Sequence, residues 1–177
     1  PVICGSALTG LGTIALLNAI VDFIPDPTDV PPMVAENESG EPMDYIVSPG
    51  AYPAAFVFKT VADQYGKFSL VKVISGSLTP DMTLVNATTG ANEKLGRLYI
   101  MRGKKTEEVK ELTCGDIGAI GKMDKVKTGD TLYDARKYVK LPPIPFAEPN
   151  YSKAISPKTR GQDDKVAAGL SRLNEED

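Results

Sequence analysis

Apolar residues near the start of the chain recur at the spacing of one helical face. They lie between Thr13 and Pro25, at positions Leu17, Ile20, Val21 and Ile24. This period predicts a short amphipathic helix, with Thr13 as a possible N-cap and Pro25 as its end. A helix of about a dozen residues is marginal alone in water, so its apolar stripe is expected to need a partner surface.

The pattern changes in residues 51–140, where short alternating runs rich in Val, Phe and Leu are separated by Gly, Asp and Pro. They extend from YPAAFVFKTVADQYGKFSLVKVISGSL to GDTLYD. Six or more short strands without a helical period predict a closed barrel or a sandwich. The charged stretch RGKKTEEVKEL is predicted to be a solvent-facing hairpin end or an extended loop.

Two proline-rich segments flank these strands. Residues 26–50 are interpreted as a linker, or as an extended segment wrapped over another surface, and residues 141–149 as a second linker. Beyond them, YSKAIS predicts one strand and residues 157–177 one helix. A single strand and a single helix cannot enclose a core, so this piece is expected to belong to another domain.

Composition excludes several kinds of chemistry. The 177 residues include no histidine, which removes Ser-His and Cys-His nucleophiles within the chain. Cys4 and Cys114 are far apart in sequence and are expected to be free thiols. No secretory signal or membrane-length apolar run is present, so we expect a cytoplasmic protein without membrane contact. The sequence indicates no metal site and no catalytic residue.

Charge is distributed unevenly. Residues 1–50 contain seven acidic residues and no lysine or arginine, whereas residues 51–140 contain fifteen basic and ten acidic residues. The basic excess of the middle is mild, and it is compatible either with RNA binding or with an ordinary solvated surface. The sequence has no G-x-x-x-x-G-K-[ST] phosphate-binding loop, and the D-x-x-G match at Asp63–Gly66 is interpreted as a turn.

The order of the motifs resembles one family. PVICGSA followed by LLNAIVDFIPDP resembles the last strand, guanine-recognition loop and final helix of the GTPase domain of elongation factor G. The runs YPAAFVFKTVADQYGKFSLVKVISGSL, GRLYIMRGKKTEEVKELTCGDIGAI and TGDTLYD resemble that family's second domain, and the last 30 residues resemble the start of its third. The resemblance covers nearly the whole chain in order.

This resemblance implies a Greek-key translation-factor β-barrel, flanked by an N-terminal helix and a C-terminal strand-helix piece. The implied division is 1–25 for the end of the GTPase domain, 26–50 for a linker, 51–140 for the barrel, 141–149 for a second linker and 150–177 for the start of the third domain. It implies a GTPase that acts on the ribosome, with GTP and magnesium bound by the parent protein and no cofactor in this fragment.

Site residues are likewise implied by the resemblance. Ser6 and Ala7 match the loop that lies against the guanine base, which would bind only with the missing GTPase domain. Contact with small-subunit ribosomal RNA is expected from four basic residues at hairpin ends: Lys94, Arg97, Lys104 and Lys105. The hairpin TTGANEKLGR has fewer bases than the family typically places there, and MRGKKTEEV lacks the family's histidine. These departures indicate a divergent paralogue.

Alternative functions are a tetracycline-resistance-type ribosomal protection protein or a peptide-release GTPase, which share the architecture. A stand-alone β-barrel binding module is the alternative from another class. It would explain the barrel and the basic middle, but not the helix before the barrel or the strand and helix after it.

Overall fold

The computed structural model describes residues 1–63, 66–103, 105–123, 125–159 and 161–176. Helices α1 (Thr13–Phe23) and α2 (Asp163–Glu176) lie at opposite ends of the described chain. Between them are β1 (Met33–Glu36), β2 (Pro42–Tyr45), β3 (Ala54–Asp63), β4 (Gly66–Ser75), β5 (Ser77–Leu78), β6 (Thr83–Asn86), β7 (Asn92–Lys94), β8 (Leu98–Arg102), β9 (Lys105–Val109), β10 (Leu112–Thr113), β11 (Ile117–Gly121) and β12 (Thr131–Tyr133).

Eight strands form one antiparallel sheet in the order β7-β6-β12-β3-β4-β11-β8-β9. Strands distant in sequence meet at β11 and β12, as a Greek-key connection requires. Two further ribbons, β1–β2 and β5–β10, accompany the sheet. The fold is therefore mainly β, as the alternating runs predicted. RGKKTEEVKEL, expected at a solvent-facing hairpin end, spans β9 and the end of β8, and β9 is largely exposed.

One apolar core joins six of the eight strands of the sheet. Its buried side chains come from β3, β4, β6, β8, β11 and β12, and from both strands of the β5–β10 ribbon: Ala55, Val57, Val71, Val73, Leu78, Leu84, Leu98, Leu112, Ile120 and Leu132. Because strands from both ends of the order meet in this core, the sheet curls around it as a barrel does.

A second apolar core lies outside the barrel, on the outer face of β3 and β4. Ala54 and Ile74 belong to this core, whereas their neighbours Ala55 and Val73 belong to the inner one. Successive side chains of a strand point to opposite faces, so this end of the strand pair is buried on both sides. The register shifts between Ala54 and Ala55 and again after Val57, which indicates β-bulges at both places.

The β1–β2 hairpin covers the outer core. Ala35 and Tyr45 are buried there with Val139 and Leu141, which follow β12, the last strand, in sequence. Ser75 Oγ donates to the Tyr52 carbonyl at 2.8 Å, so the Tyr45 hydroxyl donates to Ser75 Oγ, 2.5 Å away. The segment 26–50, interpreted from sequence as a linker or a wrapped segment, thus contains a hairpin packed on the barrel.

Ion pairs and aromatic contacts hold the edges of the outer core. Lys140 pairs with Glu36 at 3.0 Å, and the backbones of these two residues also form a bridge. Arg136 lies over the Tyr52 ring, and its guanidinium holds the pKa of Asp134 at about 2. Residues on both sides of the barrel in sequence are therefore bound together.

Helix α1 is exposed on all sides. It contains no buried residue, and its large apolar side chains are exposed, from 47% at Ile20 to 81% at Val21. The helix ends just before Pro25, as predicted. Thr13 was wrong as the N-cap: Gly12 occupies that position with φ 83°, and the Thr13 hydroxyl donates instead to the Gly10 carbonyl.

The predicted strand at YSKAIS does not form: residues 151–156 carry no strand assignment, so this part of the predicted strand-helix piece was wrong. A strand is stable only when neighbouring backbone groups pair with it, and these residues are almost entirely exposed. The helix predicted for residues 157–177 is present as α2 but begins only at Asp163, so its predicted start was too early. Asp163 and Asp164 lie in its first turn, where acids favour the helix dipole. No helix among the described residues is long and apolar enough to cross a membrane.

We expect Tyr45→Ala to lower the free energy of unfolding by about 3 kcal/mol, because it empties a buried aromatic position and removes a hydrogen bond. The matched control is Ile46→Ala, at a neighbouring position that is 70% exposed, where a change below about 0.5 kcal/mol is expected. Urea denaturation followed by circular dichroism measures both. Equal effects would show that the hairpin does not contribute to barrel stability.

Amide exchange should divide the chain into slow and fast parts. We expect slow exchange across the barrel, roughly residues 52–133, and fast exchange in α1 and in residues 161–177, because neither α1 nor residues 161–174 contain a buried side chain. Mass spectrometry of peptides after timed labelling is the measurement. Uniform protection in a protein shown to be monomeric by light scattering would contradict this assignment.

Candidate nucleic-acid interface and the loop before the first helix

The loop containing Ser6 and Ala7 is closed on itself. The Ser6 amide donates to the Leu11 carbonyl at 2.9 Å, and the Ser6 carbonyl accepts from the Gly10 amide at the same distance. Cβ atoms at Gly5 or Gly12 would clash with backbone carbonyl oxygens across the loop, which explains the glycines. The loop thus has a defined shape, with Ser6 partly covered and Ala7 exposed.

Lys94 and Arg97 lie close together on the barrel surface. Lys94 ends β7, and the β6–β7 hairpin is closed by the side chain of Asn86, whose Oδ1 accepts from the amides of Thr88 and Thr89. Arg97 lies three residues further, just before β8, and its carbonyl accepts from the Gly121 amide at 3.1 Å. Backbone pairing thus positions both cations on one side of the barrel.

Each of these two cations has an acidic partner. Lys94 Nζ lies 2.8 Å from Asp81 Oδ1, and Arg97 Nη1 lies 3.2 Å from Glu108 Oε2. The hydrogen bond from Lys94, together with its charge, lowers the pKa of Asp81. All four side chains are more than half exposed, so these pairs contribute little to stability and can be exchanged for other anions.

Lys105 lies apart from this pair. It opens β9 opposite Arg102, at the far end of the β8–β9 hairpin, and is exposed. Five residues separate Arg97 from Arg102, which corresponds to roughly 17 Å along a strand. Lys104 lies outside the described residues. Of the predicted cations that the structure describes, Lys94 and Arg97 therefore form a close pair, and Lys105 lies separately at a hairpin tip.

A cleft beside Arg97 contains residues that sequence reasoning missed. Tyr99 and Lys122 line it together with Asp81 and Arg97. The Tyr99 ring packs edge-on against Phe68, with 5.5 Å between centroids. The only sequence signal was a lysine directly after the strand DIGAIG, and many surface lysines share that context.

Among the described residues, no group of three or more cysteine, aspartate or glutamate side chains is arranged to hold a metal ion. Cys4 and Cys114 are both free thiols. Burial and nearby carboxylates raise the pKa of Cys114, so this thiol is not activated as a nucleophile. The chemistry that the described surface offers is binding of anions through exposed cations.

An antiparallel sheet curled around one core, with exposed cations beside a surface cleft, has the architecture of a β-barrel binding domain. Residues 53–135 match the family described as elongation factor G domain 2. The match covers the residues that form the eight-stranded sheet, and the chain as a whole is similar to elongation factor G in sequence.

The similarity to elongation factor G extends along the full chain. Elongation factor G from Ureaplasma parvum serovar 3 and from Ureaplasma urealyticum serovar 10 are both 38% identical over 178 aligned residues. These alignments cover 100% of this chain and 26% of each relative. A crystal structure of a protein from Thermus thermophilus matches 94% of this chain and 23% of its own, with TM-score 0.73 and 26% identity. The chain thus spans about a quarter of the length of its relatives.

The chain alone should not bind GTP, because it has no phosphate-binding loop motif and the Ser6 loop satisfies its own backbone groups. Isothermal titration with GTP and magnesium is expected to show no affinity tighter than roughly 10 μM. A tighter constant that is lost on replacing Ser6 and Ala7 would show that the loop binds nucleotide unaided.

Proposed function

We propose that this chain acts in translation as part of an elongation factor G-like GTPase on the ribosome. Its barrel positions the factor and couples the GTP state to ribosome binding. GTP and magnesium are held by the part of the GTPase domain outside this chain, against the loop of Ser6 and Ala7. No residue of the chain is assigned a catalytic role, and the factor works in the cytoplasm.

The observation that carries this proposal is the full-length similarity to elongation factor G together with the packing around the barrel. A stand-alone barrel module does not account for α1, whose apolar stripe is exposed along its whole length. It also does not account for a similarity that extends through residues 1–52 and 136–177, outside the matched barrel domain. We assign 1–25 to the GTPase domain and 150–177 to the third domain on this basis.

Within this proposal, the barrel contacts small-subunit ribosomal RNA through Lys94, Arg97, Lys104 and Lys105. Lys105 lies at the tip of the β8–β9 hairpin, whereas Lys94 lies at the open end of β6–β7 and Arg97 in the connection to β8, so the expected hairpin-end position was wrong for these two. All three side chains are exposed and can reach a phosphate backbone without disturbing the core. Because Lys94 and Arg97 are paired with carboxylates, a phosphate must replace Asp81 and Glu108 as their partner. This exchange of partners weakens RNA binding, and it makes the affinity for RNA depend on the acidic residues that compete for each cation.

Filter binding of the chain to a small-subunit RNA fragment should show weak association, with a log–log salt slope of about −2 to −4, since each neutralised phosphate contributes about −0.7 to −0.9. Replacing Lys104 and Lys105 together by alanine should flatten the slope by about 1 to 2. Arg97→Gln should flatten it by somewhat less than 1. An unchanged slope in all of these variants would remove the RNA contact from this surface.

Glu108→Gln should strengthen RNA binding by about three- to tenfold at low salt, because it removes the anion that competes for Arg97. The control is Glu148→Gln, which makes the same charge change on an exposed position of the second proline-rich segment. The two variants have equal net charge. If they bind RNA equally well, the Arg97–Glu108 pair does not compete with RNA.

A further inference from the structure

The cleft beside Arg97 encloses about 290 Å³ on the barrel surface. This volume is at the lower end for small-ligand sites and too small for a nucleic-acid helix. Its wall is formed by Asp81, Gly96, Arg97, Tyr99, Gly121 and Lys122. Gly96 and Gly121 are in close backbone contact, since a Cβ at Gly96 would clash with the Gly121 carbonyl oxygen. The cleft is therefore part of the fold and not a gap between loose side chains.

Backbone strain is concentrated at this cleft. Asp81 (φ 65°) and Lys122 (φ 62°) are the two non-glycine residues with left-handed backbone in the described part of the chain, and both line it. Aspartate is a common residue in this region, whereas lysine is not. Glycine would relieve the strain at position 122, so the lysine there indicates a use for its side chain.

The charges of the cleft are arranged asymmetrically. Lys122 is exposed and has no ion-pair partner among the described residues, and Arg97 reaches the same cleft from the adjoining strand. The acidic member, Asp81, is bound to Lys94 at 2.8 Å. A ligand in the cleft therefore meets two cations, of which Arg97 is shared with Glu108, and one carboxylate that can accept a hydrogen bond.

Tyr99 supplies an aromatic surface between these groups. Its ring is partly exposed, and a Cβ at Gly121 would lie 3.4 Å from the ring edge, so the absence of a side chain at Gly121 leaves space beside the ring. Aromatic rings next to cations are typical of proteins that bind single-stranded nucleic acid, because every base has a face that can stack.

We propose that this cleft binds one unpaired ribonucleotide. Lys122 and Arg97 hold its phosphate, the base stacks on Tyr99, and Asp81 accepts a hydrogen bond from the ribose 2′-hydroxyl. An acidic peptide fits less well, because it would bring further carboxylates towards Asp81 and would leave the ring unused. The inference rests on the proposed RNA contact and specifies that one nucleotide of that RNA is unstacked.

The test uses fluorescence anisotropy with the full chain and labelled hexauridylate at low salt. Lys122→Gly should bind roughly tenfold more weakly, as expected for the loss of one charge-assisted hydrogen bond. Its melting temperature should be equal to or above that of the unaltered protein, because the substitution relieves left-handed strain. Tyr99→Leu should weaken binding about tenfold, whereas Tyr99→Phe should retain it.

Lys153→Gly is the matched control, since it removes the same charge by the same substitution on the exposed C-terminal segment. It should leave hexauridylate binding within about twofold, because a single solvated charge outside the site has only a screened effect. Hexadeoxyuridylate, which lacks the 2′-hydroxyl, should bind the unaltered protein more weakly than the RNA.

Three results would overturn the inference: equal loss for Lys122→Gly and Lys153→Gly, equal binding of the deoxyribose hexamer, or equal binding of a labelled hexaglutamate peptide. Binding of the small-subunit RNA fragment is measured on the same variants. If Arg97→Gln alters the salt slope for the small-subunit fragment while Lys122→Gly and Tyr99→Leu have no effect on either RNA, the cleft does not bind a nucleotide. The proposed function is retained in that case. If no variant alters the slope, the RNA contact itself fails.

Discussion

Tyr45, Ser75 and the Tyr52 carbonyl form a short chain of hydrogen bonds at the point where two apolar cores meet on either side of β3 and β4. Burial of both sheet faces leaves no water for these polar groups, so each must find a partner within the protein. That constraint aligns the β1–β2 hairpin on the barrel. Burial also raises the pKa of the Tyr45 phenol, which keeps it neutral as a donor.

Because β3 and β4 are buried on both faces, the segments before and after the barrel strands pack against them. β1 lies beside the backbone of Lys140, so chain from before and after the barrel meets at one place. Gly115, with φ 91°, is in direct contact with the Pro27 ring, which ties the start of the first proline-rich segment to the loop before β11. The start of the first proline-rich segment is therefore packed against the barrel.

The exposed cations of the barrel surface are held differently from the buried side chains of the two cores. They are held by backbone pairing but are neutralised by exposed carboxylates, and such pairs are weak in water. Among the cations that line the Arg97 cleft, Lys122 differs, because it stands without an ion-pair partner in the described chain and on a strained backbone. A surface of this kind favours a polyanion that makes several simultaneous contacts over a small anion that makes one.

Alternation of apolar and polar residues was sufficient to predict a mainly β middle, since the period of two along a strand is a local property. The end of α1 just before Pro25 is local in the same sense, because proline cannot continue a helix, and the sequence determined it. Other features depended on tertiary structure. The β1–β2 hairpin has little local signal, because its stability comes from a core shared with β3, β4 and residues 139–141. YSKAIS has the pattern of a strand but no strand pairs with it. The partners of Lys94 and Arg97, and the meeting of Tyr99 with Lys122, were decided by strand pairing, which joins residues more than ten positions apart and leaves no periodic trace in the sequence.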